Sequence, residues 1–409
     1  MIGLNYTKID SNNVEINLPT SKSISNRALV LNALLNNIVV LNDLSLADDT
    51  QLMHSVLKAN SNEVNLQNAG TCMRFLTAYF ACKSNQNINL VCSERMQQRP
   101  IKDLVNALKS LGANIEFLKT ENFPPLKILG TNLTGKFINI DGSESSQFIT
   151  AIMLIAPFVK NGISIHLEGK IASYDYIKMT SLLMNQFGFD VKLSDNLIEV
   201  SEYKNEPIIL NYTIEKDWSG ATFWYLIAAL NPQLSIHLKG LTKTSTQGDV
   251  ITIDVFEKLG VSTYETNDGL TIKKDKIVSD FLAFDLINAI DLAPALSVAC
   301  AALNVNATIS GLQNLKLKES NRLFVIVTEL SKFGYIVSNS NDSITIIQSK
   351  QINYNQSITI NTYNDHRIAM AFSPLSILFN HLKIDDIEVV SKSYPNYFND
   401  LKLIGITLN

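Results

Sequence analysis

Apolar runs of helical length recur along the chain, each headed by a short polar cluster and set between strand-like stretches. The runs at 28–35, 148–158, 289–302 and 368–378 are the clearest. Among the strand-like stretches, three end in glycine: ISIHLEG at 163–169, LSIHLKG at 234–240 and ATISG at 307–311. Their last residues, Gly169, Gly240 and Gly311, stand 71 and again 71 positions apart. A second mark is a glycine that stops a helix ahead of a strand, at Gly112, Gly188, Gly260 and Gly334, with spacings of 76, 72 and 74. A local helix stop accounts for each of these glycines. The shared spacing asks for one supersecondary unit used repeatedly.

Polar openings at 21–27, 70–74, 145–147, 217–220, 291 and 364–367 set the number of units at six. Each unit carries two helices and several strands, which is too long a period for a solenoid of helix pairs. The expected fold class is α/β, with six small α/β units grouped into two domains. No Pro/Gly/Ser-rich linker separates the halves, so any crossing is short, and Leu18-Pro19-Thr20 and Tyr212-Thr213-Ile214 are the candidates. With both as crossings, 21–214 forms one continuous domain and 1–20 joins 215–409 in the other. The Asn-rich stretch 338–342 predicts a hairpin turn.

Length agrees, since 409 residues exceed one ordinary core. Charge narrows the function: a net charge of -4 gives no broad basic surface for nucleic acid, so any anion site is local. Cys72, Cys82, Cys92 and Cys300 show no CxxC pairing or metal-ligand spacing, and the five histidines show no HExxH, so no metal site is expected. The run 148–159 is too short to span a bilayer and no signal peptide is visible at the N-terminus, so a cytoplasmic protein without a membrane partner is expected.

The chemistry lies in the polar clusters. In Asn314-Leu315-Lys316-Leu317-Lys318-Glu319-Ser320-Asn321-Arg322, the spacing predicts Lys318, Glu319 and Arg322 on one helical turn. A carboxylate between two cations suits proton transfer beside an anion; a solvated charged helix fits the stretch too. Ser21-Lys22-Ser23-Ile24-Ser25-Asn26-Arg27 precedes an expected helix at 28–35, as a plain cap or as an anion site. Asn68-Ala69-Gly70-Thr71 reads as a tight turn or as a loop whose Gly70 lets backbone approach a ligand, with Thr71 able to cap. Arg99 stands before Pro100 at a helix start. Ser145, Ser146 and Gln147 open a very apolar helix and can aim two hydroxyls and an amide at a hydroxylated ligand; Ser173, Tyr174 and Tyr176 are placed likewise. Asp291, alone among apolar residues, is either an N-cap or an acid/base group. His366 and Arg367 at a helix start oppose the macrodipole and need an anion, either Asp365 or a ligand. Cationic helix starts converging on one place suit a multiply anionic substrate, or a pair of them, in a cleft between domains.

In this order, the clusters resemble the 5-enolpyruvylshikimate-3-phosphate synthase family of enolpyruvyl transferases (3-phosphoshikimate 1-carboxyvinyltransferases). The marks are Ser21-Lys22-Ser23-x-Ser25-Asn26-Arg27, Asn68-Ala69-Gly70-Thr71-x-Met73-Arg74, Arg99-Pro100-Ile101, Asp141-Gly142-Ser143-x-Ser145-Ser146-Gln147, Gln247-Gly248-Asp249, Lys318-Glu319-x-x-Arg322 and Asn364-Asp365-His366-Arg367. Seven marks in order, spanning nearly the whole chain, are specific. Thr20, Cys72 and Phe75 stand where glycine, alanine and proline are commoner in the family.

The resemblance implies a two-domain inside-out α/β barrel-like fold of six βαβαββ repeats, three per domain, with the active site in the cleft between them. It implies transfer of the enolpyruvyl group of phosphoenolpyruvate to the 5-hydroxyl of 3-phosphoshikimate, with release of phosphate, in aromatic amino acid biosynthesis, by a monomer that needs no cofactor. It assigns Lys22, Ser23, Arg27, Ser145, Ser146, Gln147, Ser173, Tyr176, Asp291, Asn314 and Lys318 to 3-phosphoshikimate. It assigns Lys22, Gly70, Arg99, Gln147, Arg322, Arg367 and Lys392 to phosphoenolpyruvate, and catalysis to Asp291, Glu319 and Lys22. The alternatives are the UDP-N-acetylglucosamine enolpyruvyl transferases, which share the fold and carry a cysteine on the loop near 94–99, and a non-catalytic anion-binding protein of this fold. Cys92 lies just before that loop and none lies in it.

Overall fold

The computed structural model describes residues 1–59, 61–135, 137–204, 209–276 and 278–409. They form two compact units, one of residues 1–21 and 215–409, the other of residues 22–214. Each has its own core. Trp218, Trp224, Phe256, Phe333 and Tyr397 lie in the first; Phe75, Phe148 and Phe187 lie in the second.

A single strand order repeats. In the unit 22–214, Glu63–Asn65 runs parallel to Asn87–Val91, which pairs antiparallel with Leu126–Leu129, which in turn pairs antiparallel with Asn114–Phe117. The helices Gly70–Ala81 and Lys102–Ser110 follow the first two strands, since parallel neighbours need a crossover and antiparallel ones only a turn. The same βαβαββ order forms the sheet of Phe137–Asp141, Ile163–Glu168, Leu197–Val200 and Val191–Leu193. In the other unit it forms the sheet of Phe281–Asp285, Asn306–Ser310, Ile344–Ile347 and Ile336–Asn339. Two further sheets there borrow their first or last strand from the chain start. Asn13–Ile16 pairs parallel with Ser235–Lys239, and Ile2–Tyr6 lies antiparallel between His381–Ile384 and Ile406–Leu408.

Among the described residues, five units thus have all four strands. The sixth keeps the helices Lys22–Leu34 and Asp48–Lys58 with a two-stranded sheet, Asn211–Thr213 parallel to Val40–Asn42. Gly112, Gly188, Gly260 and Gly334 have φ of +99°, +94°, +86° and +84°, the left-handed stop that lets a helix turn into a strand at the same place in four units. The turn expected at 338–342 joins the antiparallel strands Ile336–Asn339 and Ile344–Ile347.

Three local expectations are corrected. The first helix starts at Lys22, six residues before the expected 28, so Lys22, Ser23 and Arg27 are helical. Lys318, Glu319 and Arg322 do not share a helical turn. A short 3-10 helix ends at Leu317, Lys318 is extended, and the next helix begins only at Arg322 because the Asn321 side chain caps it by accepting from the Phe324 N–H. Asp291 caps no helix: it lies within the 3-10 turn Ile290–Leu292, ahead of Ala293–Ala302. Among the described residues, no helix is long and apolar enough to cross a membrane.

Candidate active site

In the unit 22–214, helix starts carry the polar residues. Lys22 opens its helix and its ammonium lies 3.4 Å from Asp49, on the next helix. One turn on, Arg27 is buried, with 3% of its surface exposed. Its Nε donates to Thr180 Oγ1 at 2.8 Å, Nη1 to the Ser23 carbonyl at 2.8 Å and Nη2 to Thr150 Oγ1 at 3.4 Å. The rings of Phe75 and Tyr176 lie 5.3 and 5.8 Å from its guanidinium carbon. Burial pulls this guanidinium down to about 10, with the Tyr176 phenol opposing only in part. Among the described residues, Arg27 forms no ion pair; its partners are neutral oxygens and ring faces. A desolvated cation so placed gains strongly from an anion.

Gly70 starts the helix Gly70–Ala81, and Thr71 is inside its first turn, not at the cap. The Thr71 hydroxyl accepts instead from Gln147 Nε2 at 3.2 Å. The space over Gly70 is filled. A Cβ there would meet Arg99 Nη1 at 2.7 Å, Arg99 Nη2 at 2.9 Å and Arg74 Nη1 at 3.0 Å. The glycine therefore admits two guanidinium groups rather than leaving a void. Arg74 is itself tied down, donating to the carbonyls of Gly70 and Pro100 at 3.2 and 3.0 Å. Ser145 caps the helix Ser146–Ile155 by accepting from the Gln147 N–H, so Ser146 and Gln147 sit in its first turn. Ser173 precedes Tyr174–Gln186 in the left-handed conformation, which leaves its hydroxyl unused as a cap, and Tyr176 lies one turn below Thr180.

In the unit 1–21 and 215–409, Arg322 organises the site. Only 1% of its side chain is exposed. Its Nε and Nη2 donate to Asp365 at 2.8 and 3.1 Å, Nη1 to Asp291 at 2.9 Å and Nη2 to Glu319 at 2.7 Å. Burial works against its charge, yet Asp365, Glu319 and Asp291 outweigh burial and hold the guanidinium above its ordinary value. Asp291 also meets Arg367 at 3.2 Å and Lys318 at 3.3 Å. Burial pushes its carboxyl up, but Arg367, Lys318 and Arg322 prevail and hold it far below the usual carboxylate range. Asp365 caps the helix His366–Phe372, accepting from the Arg367 N–H at 3.1 Å. The compensating anions for this helix start are therefore Asp365 and Asp291. Asn314 and Lys392 lie in the 3-10 helices Gln313–Leu317 and Glu388–Lys392 of the same unit, both half-buried.

The unit 22–214 thus gathers Lys22, Arg27, Gly70, Arg99 and Gln147. The other gathers Asp291, Lys318, Glu319, Arg322 and Arg367. Sequence reasoning missed Asp49, Thr150 and Thr180. The two threonines had a signal, since Thr150 follows Gln147 by three and Thr180 follows Tyr176 by four, so each shares a helix face with an expected site residue. Asp49 had none. Among the described residues, no group of three or more His, Cys, Asp or Glu is placed to hold a metal.

A family profile described as "EPSP synthase (3-phosphoshikimate 1-carboxyvinyltransferase)" matches residues 6–60 and 58–401. A Bacteroides fragilis (strain YCH46) protein named 3-phosphoshikimate 1-carboxyvinyltransferase is 45% identical over 394 residues, covering 95% of each chain. One of the same name from Shewanella baltica (strain OS195) is 37% identical over 417 residues, covering 94% of this chain and 95% of its own. The solved EPSP synthase of Acinetobacter baumannii superposes with a TM-score of 0.76 at 20% identity, covering 100% of this chain and 99% of its own, which is a likeness of fold.

Proposed function

We propose how these residues act from the premise that this chain belongs to the EPSP synthase family. It is a 3-phosphoshikimate 1-carboxyvinyltransferase, moving the enolpyruvyl group of phosphoenolpyruvate to the 5-hydroxyl of 3-phosphoshikimate with release of phosphate. The reading of the site rests on one observation: Arg322 pairs with Asp291, Glu319 and Asp365 together, and Lys318 meets the same Asp291.

Addition requires the 5-hydroxyl oxygen to bond to C2 of phosphoenolpyruvate. The hydroxyl loses its proton, and the C3 methylene gains one. Elimination then takes a proton back from C3 as the C2–O bond to phosphate breaks. Two carboxylates with opposed duties can move these protons, and Asp291 and Glu319 are the pair. Asp291 begins ionised, held so by three cations. A substrate anion that draws on Arg367 or Lys318 weakens that hold and makes Asp291 a stronger base when substrate is present. Lys22, Ser23, Arg27, Ser145, Ser146, Gln147, Ser173, Tyr176, Asn314 and Lys318 hold 3-phosphoshikimate, with desolvated Arg27 the strongest attraction for an anionic group. Lys22, Gly70, Arg99, Gln147, Arg322, Arg367 and Lys392 hold phosphoenolpyruvate. Arg322 brings one N–H to this task, since four of its five already meet carboxylates. A cytoplasmic monomer belongs to the reading as well.

The cysteine-dependent alternative finds no support. Burial pushes the Cys92 thiol up to about 11, so it is a poor nucleophile at neutral pH. The test is phosphate release from phosphoenolpyruvate. Release that depends on 3-phosphoshikimate and fails with UDP-N-acetylglucosamine supports the reading; no release with either would leave a binding protein of the same fold.

A further inference from the structure

Asp249 is a buried carboxylate that the reaction scheme does not use. It lies in the 3-10 helix Gly248–Ile251 and is 4% exposed. Its hydrogen-bond donor is the Ser219 hydroxyl. Ser219 sits in the first turn of Trp218–Leu230, the one residue of that helix that is not fully buried. On its other side, the Ser219 oxygen accepts from Arg367 Nη2 at 3.3 Å. The same Nη2 meets Asp291 at 3.2 Å, and Nη1 donates to the Asp291 carbonyl at 3.2 Å.

The direction of this chain follows from the chemistry of its members. A guanidinium can only donate, so the Ser219 oxygen must accept from Arg367. The hydroxyl proton is then free for one acceptor, and Asp249 is that acceptor. A hydroxyl polarised by a carboxylate is a better acceptor on its oxygen, so the two bonds strengthen each other. Arg367 is held at Nη1 and Nη2 from one side by Asp291 and at Nη2 from the other by Ser219. This leaves the guanidinium plane little freedom to rotate. A bidentate contact to a carboxylate or phosphate depends on that plane.

The neighbouring charges make a carboxylate at this site unusual. Arg367 and Lys318 favour its charge, Asp291 opposes it, and burial opposes it most. Burying this carboxylate costs free energy that the bond from Ser219 and the two nearby cations offset only in part.

We propose that Asp249, acting through the Ser219 hydroxyl, is a positioning residue that sets the plane of the Arg367 guanidinium for the anionic groups of phosphoenolpyruvate. This rests on the assignment of Arg367 to that substrate, and the experiment separates the two. Steady-state kinetics are measured for Ser219→Ala, Asp249→Ala, the double variant, Asp249→Asn and Arg367→Lys. Ser219→Ala and Asp249→Ala should each raise KM for phosphoenolpyruvate roughly five- to tenfold, the scale of the net contribution of one ordinary hydrogen bond. The kcat and the KM for 3-phosphoshikimate should stay within about twofold, a split that a general loss of structure does not produce. The double variant should be no worse than Asp249→Ala, because the two residues form one chain. Asp249→Asn keeps an acceptor oxygen for Ser219 and should stay near wild type. Wild-type KM in both alanine variants overturns the inference, as does an equal fall in all parameters with Asp249→Asn equally impaired. If Arg367→Lys raises KM for phosphoenolpyruvate and the others do not, the inference alone fails. If Arg367→Lys leaves that KM unchanged, the assignment of Arg367 fails and the inference with it.

Discussion

Arg322 and Asp365 meet at two points, Nε to Oδ2 at 2.8 Å and Nη2 to Oδ1 at 3.1 Å. Both side chains are essentially buried. The same Asp365 caps the helix that carries Arg367. One carboxylate thus orients one arginine through its side chain and another through its backbone, and Asp291 joins the two arginines again from the opposite side. Removing single members of such a cluster should have effects that differ in kind.

Glu319→Gln retains the shape of the side chain, and Arg322 keeps Asp365 and Asp291 as partners. Turnover should fall about 100-fold or more, the usual range for losing a positioned acid or base, while 3-phosphoshikimate affinity changes little. Single-turnover kinetics beside equilibrium binding measures both; turnover near wild type would exclude Glu319 from proton transfer.

Asp291→Asn should be harsher. It removes the charge that faces Lys318, Arg322 and Arg367 together. Stability should drop by about 3 kcal/mol at neutral pH in addition to the loss of turnover, as expected when one partner of a buried pair is removed. The folded carboxyl lies below its ordinary 3.8, so its stabilisation is present above that pH and is lost as pH falls through the folded value. Urea unfolding should therefore show a gap between variant and wild type at pH 7 that narrows in strong acid.

Asp249→Asn should do the reverse. The folded carboxyl is raised by burial, with Arg367 and Lys318 easing and Asp291 adding to the effect. An acid raised on folding costs stability above its folded value and none below its unfolded one. The variant should resist urea better than wild type at pH 8, and the advantage should shrink towards pH 4. A variant less stable at pH 8 would show that the carboxylate contributes more in its bond from Ser219 than burial removes.

Gly70→Ala places a methyl carbon against Arg99 and Arg74, so their guanidinium ends must shift. Both are the far ends of flexible side chains, so the cost in stability is small and the effect falls on where the guanidinium groups sit. KM for phosphoenolpyruvate should rise roughly fivefold or more, with less change for 3-phosphoshikimate. Unchanged kinetics would mean that Arg99 does not act from this position.

Much of this was legible along the chain because its causes are local. A glycine that stops a helix acts through its own φ, so Gly112, Gly188, Gly260 and Gly334 could announce a repeat by spacing alone. Lys22, Arg27, Gln147 and Arg367 could be picked out because polar residues heading apolar helices have few other uses. The charge partners distant in sequence were not legible, because ion pairing depends on distance in space. Lys22 and Asp49 are 27 positions apart, Arg322 and Asp365 are 43, and Arg367 and Asp291 are 76. The helical spacing of Lys318 and Arg322 even suggested the wrong geometry: Asn321 starts the helix late, and both cations reach Asp291 from an extended segment and a helix start. The sequence by itself determined which residues are charged and where helices begin to bury their faces. Only the tertiary structure decided that Arg27 would meet hydroxyls and rings, and Arg322 three carboxylates, because desolvation and Coulomb energy are set by what the fold packs around a charge.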